Sequence, residues 1–191
     1  MKNLNRLRIN MKKFLLGLAL LAVAGCNSPK RELRRTLANF VGQEIRLPDG
    51  LQSKQLGEDV PDPGFRRKDW RIVVYTDSTG CSECKLRNLV LWKDVIRAND
   101  SLSVPAGIVF VFHPKKVREL GFMLKNYEFD YPVYYDLEGE FERLNPGLPK
   151  DVRFHTFLLD PQNRVAVVGS PVRNEKLWKL YRDEMETPAN P

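Results

Sequence analysis

The sequence predicts an α/β domain built on a mixed sheet with helices on both faces. Three observations carry that reading. Arg71-Ile72-Val73-Val74-Tyr75-Thr76 and the run from Gly107 to Phe112 are β-branched and aromatic, the composition of buried strands. Each is followed by apolar residues at helical spacing, which makes a parallel βαβ unit. Phe154 to Leu159 and Arg164 to Val168 flank the tight turn Asp160-Pro161-Gln162-Asn163, so they pair antiparallel before a last helical pattern. The length of 191 residues fits one such domain.

Taken in order, residues 1–25 read as a signal peptide, 26–40 as a tether, 41–186 as the folded domain and 187–191 as a flexible tail. The tether is polar and basic and turns helical toward Phe40. Val41 to Pro48 alternates like a short strand. Residues 49–69 hold Gly50, Gly57, Pro61, Pro63 and Gly64 and predict loop. After the strand at 71–76, Asp77-Ser78-Thr79-Gly80 turns the chain into Cys81-Ser82-Glu83-Cys84. A helix to about Asn99 follows, with Leu86, Leu89, Val90 and Ile96 inward. Val117, Leu120, Leu124 and Tyr127 predict a helix over 115–127. Tyr131 to Asp136 reads as a short strand and 137–152 as a connection. Asn174 caps a last helix with Leu177, Leu180, Tyr181 and Met185 inward.

The N-terminus reads as an address. The apolar run from Phe14 to Ala24 lies behind Lys12 and Lys13 and is too short for a spanning helix of about 20 residues. Residues 1–25 hold five basic side chains and no acid, so the +7 of the whole chain falls to +2 from Cys26 onward. That removes the charge argument for nucleic-acid binding. Val23-Ala24-Gly25-Cys26 resembles the lipobox of bacterial lipoproteins. The resemblance implies that Cys26 is lipidated, becomes the mature N-terminus and tethers the domain to the membrane of a bacterial cell envelope.

Cys26 aside, the chain's other two cysteines are Cys81 and Cys84. A thiol at a helix N-terminus meets unpaired backbone N–H groups and the positive end of the helix dipole, which favour the thiolate. Cys81 is therefore the expected nucleophile, and Cys84, one turn on, the resolving thiol. An inert disulfide is the plainer alternative, but so short a loop constrains the unfolded chain little. Zinc would need more ligands than one CxxC provides. No metal and no cofactor is the expectation, with a Cu(I) site of Cys81, Cys84 and His155 as an alternative. Lys115-Lys116 and Arg66-Arg67-Lys68 read as solvated faces, His113 as a helix-entry residue, and Tyr131, Tyr134, Tyr135 and Phe141 as packing.

A CxxC between the first buried strand and a helix, a short strand near Tyr131 and the Phe157-Leu158-Leu159-Asp160 strand together resemble the thioredoxin fold. The arrangement is similar to membrane-tethered thioredoxin-like proteins of the cytochrome-c-maturation type, over residues 41–186. The resemblance implies an envelope thiol-disulfide oxidoreductase working through Cys81 and Cys84 on protein thiols or disulfides. It also implies that the loop before the 154–159 strand faces the pair, which makes Phe154, His155 and Thr156 candidate supporting residues. The sequence departs from the pattern in three places. Phe154 or His155 stands where a cis-proline is usual. Gly80 stands where many thioredoxins have Trp. Tyr75 and Arg87 occupy the positions of the buried acid, leaving Asp77 as the nearest acid before Cys81. A non-enzymatic binding or assembly lipoprotein and a copper-handling lipoprotein are the competing readings.

Overall fold

The computed structural model describes residues 29–78 and 88–186. Contacts divide the chain into two units, residues 1–38 and 39–191. The helix expected at the tether's end is present as α1, Pro29–Phe40. Cys26 and the 187–191 tail lie outside the described residues.

The second unit holds one seven-stranded sheet. Its strands are β1 (Gln52–Gln55), β2 (Glu58–Asp59), β3 (Arg71–Thr76), β4 (Gly107–Phe112), β5 (Val133–Tyr135), β6 (Thr156–Leu159) and β7 (Val165–Val168). They lie in the order β2-β1-β5-β4-β3-β6-β7. β3, β4 and β5 are mutually parallel neighbours, while β6 pairs antiparallel with both β3 and β7. The described helices that follow are α2 (Trp92–Asp100), α3 (Val117–Asn126), α4 (Glu140–Leu144) and α5 (Glu175–Glu186).

Alternation along β3 and β4 sorts the core into two halves. Ile72, Val74, Ile108, Phe110 and Phe112 face one side, packed with Trp92 of α2, Leu120 and Leu124 of α3, and Tyr181 and Met185 of α5. Val73, Tyr75, Val109 and Val111 face the other, with Phe40 and with Phe141 of α4. Gly107 opens β4 where the 3-10 turn Phe65–Arg67 crosses it; a Cβ there would meet the Phe65 carbonyl oxygen at 2.1 Å. Asn99 fixes the α2–β4 link, donating to the Ala106 carbonyl and accepting from its N–H, both at 3.0 Å.

Several expectations are corrected. Residues 49–69 contain the β1–β2 hairpin, turned at Leu56 and Gly57 with φ of 50° and 83°. Its strands, Gln52–Gln55 beside β5 and Glu58–Asp59 at the sheet edge, are short and polar, so they carry no β-branched signal. Residues 41–48 form no strand; only Glu44 bridges to Arg164, because Gly42 at φ 82° bends the segment. The 137–152 connection contains α4, whose first N–H groups, Glu140 and Phe141, donate to the Asp136 carboxylate at 2.9 and 2.8 Å. Val90 and Leu180 are exposed rather than inward. Val90 sits in a 3-10 turn, Asn88–Leu91, which shifts the helical phase. On α5, Trp178 joins Leu177 on the inward side in place of Leu180.

Asp62 ties the loop before β3. Burial raises its pKa, but hydrogen bonds from the Gly64 N–H, the Tyr134 hydroxyl, Arg66 and Arg67 outweigh this and hold the carboxyl far below the usual range. A carboxyl depressed in the folded state stabilises above its unfolded pKa of about 3.9, and that stability drains away as pH falls below it. Thermal melts from pH 6 to pH 2 should therefore show an acid limb that Asp62→Asn flattens. An identical limb in the variant would assign acid sensitivity to other carboxyls.

Candidate functional site

β3 delivers the chain to Asp77 and Ser78, and the chain re-enters at Asn88 in the turn that leads into α2. Cys81 and Cys84 lie between, outside the described residues, as do Gly80, Leu86 and Arg87. Both flanks of that segment line one cavity. Asp77 and Asn88 share its wall with Thr76, Arg153, His155 and Thr156, around about 290 Å³. A second cavity of about 350 Å³ is lined by Asp77 and His155 together with Glu142, Asn145, Pro149 and Lys150. Asp77 and His155 thus stand between the two.

Of the expected supporting residues, the structure brings His155, Thr156 and Asp77 together and turns Phe154 away. Val152–Phe154 is a 3-10 turn capped by the Asp151 side chain, which accepts from the Arg153 N–H. That turn buries Phe154, which lines neither cavity, beneath the Arg153 guanidinium. No peptide bond among the described residues is cis. Thr156 opens β6 opposite Val74.

His155 is 5% exposed and stacks obliquely on Tyr75, ring centroids 5.4 Å apart. Its Nε2 lies 2.8 Å from the Pro149 carbonyl oxygen. A carbonyl only accepts, so Nε2 carries hydrogen and the neutral ring has its lone pair at Nδ1. Nδ1 is buried without a hydrogen-bond partner among the described residues. His155 shares Tyr75's face of the sheet, whereas Val74 and Leu89 belong to the other, on the side of α2. The ring therefore reaches the shared cavity from beside the strand end.

Tyr75, at the position of the absent acid, cannot replace it as a base. Burial pushes its hydroxyl ionisation far above the ordinary tyrosine range, and the charges of Glu142, Asp136 and Asp77 push it further. Sequence reasoning missed Glu142, Asn145 and Pro149 as site walls, because they lie on and after α4, where only a connection was expected. Among the described residues, no group of three or more His, Cys, Asp or Glu could hold a metal ion.

No protein-family model matches the chain, and no curated protein does. Solved structures do. A chain from Chlorobium tepidum, described as a candidate thiol:disulfide interchange protein DsbE, matches at TM-score 0.52 and 16% identity, covering 76% of this chain and 95% of that one. The fold is thioredoxin-like. The C-terminal domain of a candidate thiol-disulfide oxidoreductase from Bacteroides thetaiotaomicron matches at TM-score 0.51 and 10% identity, over 75% and 97% of the two chains. The bacterioferritin comigratory protein of Xanthomonas campestris matches at 0.51 and 13%, over 74% and 98%. Identities this low establish the shared thioredoxin-like architecture, not a shared activity.

Proposed function

We propose that this protein is an envelope thiol-disulfide oxidoreductase acting through Cys81 and Cys84. The observation that carries the reading is the position of the CxxC string in the chain. It falls between β3 and α2 of a thioredoxin-like sheet, and both flanks of its segment line the cavity that His155 enters. In the reductive direction, the Cys81 thiolate attacks one sulfur of a protein disulfide and releases the other as a thiolate. Cys84 then gives up its proton and attacks Cys81 Sγ. The substrate leaves with two electrons and the pair is left oxidised. Equilibration with glutathione buffers should give a potential between about −100 and −270 mV, the range of catalytic pairs; a value below about −300 mV would mark a structural disulfide.

His155 is the proposed acceptor of the Cys84 proton, through Nδ1. His155→Ala should lower reductase turnover by roughly 100-fold or more and move the pH profile of thiol alkylation. His155→Gln should restore stability without restoring that profile. Unchanged turnover and an unchanged profile would make His155 a packing residue.

The lipobox-like Val23-Ala24-Gly25-Cys26 supports attachment to the envelope membrane through a lipid on Cys26. Among the described residues no helix is long and apolar enough to cross a membrane. Cys26→Ser should move the protein from the membrane pellet to the soluble fraction. Continued sedimentation with membranes would refute the lipid anchor. The non-enzymatic binding or assembly reading rests on the 3-10 turn at Val152–Phe154, which presents no proline beside the cavity. Absence of turnover with both thiols reactive would favour it.

A further inference from the structure

A second cleft lies at the opposite end of β3. Arg71 begins that strand and Thr76 ends it, about 16 Å away at the usual rise per residue. The cleft encloses about 830 Å³, within the range of roughly 300–1,000 Å³ for small-molecule sites. Arg46, Arg66, Arg67 and Arg71 line it, and so do the acids Glu44, Asp49 and Glu140.

Arg71 is 6% exposed, and a guanidinium keeps its charge at any ordinary pH. Its Nη1 donates to Asn163 Oδ1 at 2.6 Å, and its Nη2 to the carbonyls of Asp160 and Asp69 at 2.6 and 3.2 Å. All three acceptors are neutral. Among the described residues no carboxylate lies within ion-pair distance of Arg71, though the charges of Asp160 and Asp69 act on it from farther off, and its Nε–H is buried without a partner. Arg66 repeats the pattern. Its Nη1 donates to the Pro48 carbonyl at 2.7 Å, its Nη2 to Asp62 at 3.1 Å, and its Nε–H is likewise buried and unpaired. Arg66 also lies over the Tyr134 ring, 5.2 Å from its centroid, so it is a held side chain and not part of a solvated face.

Two fixed guanidinium groups on one cleft, one of them with no ion-pair partner, stand beside the exposed Arg46 and Arg67 and form the cationic donor set that oxyanions fit. We propose that this cleft binds a small ligand through an oxyanion group, a carboxylate or a phosphate. Glu44 and Asp49, exposed at the same walls, are placed to meet hydroxyl or amine groups elsewhere on that ligand. The site is separate from the one containing His155 and does not depend on thiol chemistry.

The full chain titrated calorimetrically with pyrophosphate and, separately, with citrate should bind at least one of them saturably. Preference for pyrophosphate would assign a phosphate group and preference for citrate a carboxylate. Arg66→Gln should weaken that binding at least about tenfold, because it removes a charged donor. No saturable binding of either anion, or equal binding by Arg66→Gln, would overturn the proposal. If Arg66→Gln fails to fold, phenylglyoxal footprinting of the unmodified sequence decides the matter. The bound anion should protect Arg66 and Arg46, and uniform arginine reactivity with and without it would overturn the proposal.

Discussion

Replacing Cys81 by serine is expected to lower disulfide-reductase turnover by on the order of a millionfold, the scale of losing a nucleophile. A serine hydroxyl does not ionise near neutral pH, so no thiolate is available to open the substrate disulfide. Cys84→Ser should act differently. Attack by Cys81 would still occur, but nothing would resolve the mixed disulfide, so the variant should accumulate covalently bound partner protein. That adduct should survive denaturation and dissociate on reduction. The asymmetry separates a working pair from an inert one. If both variants lose activity without an adduct, or if Cys84→Ser turns over normally, the order of attack is wrong. If the unmodified protein shows no turnover while limited alkylation labels both thiols alike, the pair is not a redox centre. The anion cleft at Arg71 would be untouched by any of these results.

The parts of this fold that could be read from the chain are those whose cause is local. β3 and β4 are buried on both faces, so every position from Ile72 to Tyr75 and from Ile108 to Phe112 is apolar and the run is unmistakable. The β6–β7 hairpin is announced by its turn, in which Asp160 Oδ1 accepts from the N–H groups of Gln162 and Arg164 at 2.9 and 2.8 Å. Asn174 caps α5 as its side chain suggests, accepting from the Leu177 N–H at 3.1 Å.

What could not be read depends on distant partners. β1 carries no apolar run, since of its four residues only Ser53 is buried, and its identity comes from pairing with β5, some eighty residues later. The site shows the same division. Alternation alone left Phe154 and His155 interchangeable, since a one-residue slip reverses every side chain. The slip is decided by the Asp151-capped turn and by the Pro149 carbonyl that receives His155 Nε2. Arg66 looked like one charge in a basic run because its acceptor, Pro48 O, is 18 residues away.

Phe110→Ala should be the most damaging single truncation in the core, at about 4 kcal/mol. β4 is a central strand, with β5 on one side and β3 on the other. Phe110 is fully buried there, and three aromatic rings meet it edge-on. Trp92 lies at 5.3 Å and 85°, Phe129 at 5.2 Å and 83°, and Tyr131 at 5.7 Å and 76°. Edge-to-face pairs add to the area buried, so truncation loses both the transfer energy and the ring contacts. The neighbours come from α2, from the residues after α3 and from the approach to β5, so no single element can shift to fill the void. A loss of this size is a large part of the 5–15 kcal/mol that holds a typical domain folded. At about 2–4 °C per kcal/mol for a chain of this length, melting should fall by roughly 8–16 °C. Phe122→Ala on α3 is the control: that side chain is 66% exposed and should cost under about 0.5 kcal/mol. Because Trp92 also opens α2, the helix reached directly from the cysteine segment, Phe110→Ala should slow thiol-disulfide exchange as well, at temperatures where the variant is still folded. A melting shift no larger than that of Phe122→Ala would mean that the aromatic cluster does not carry the core.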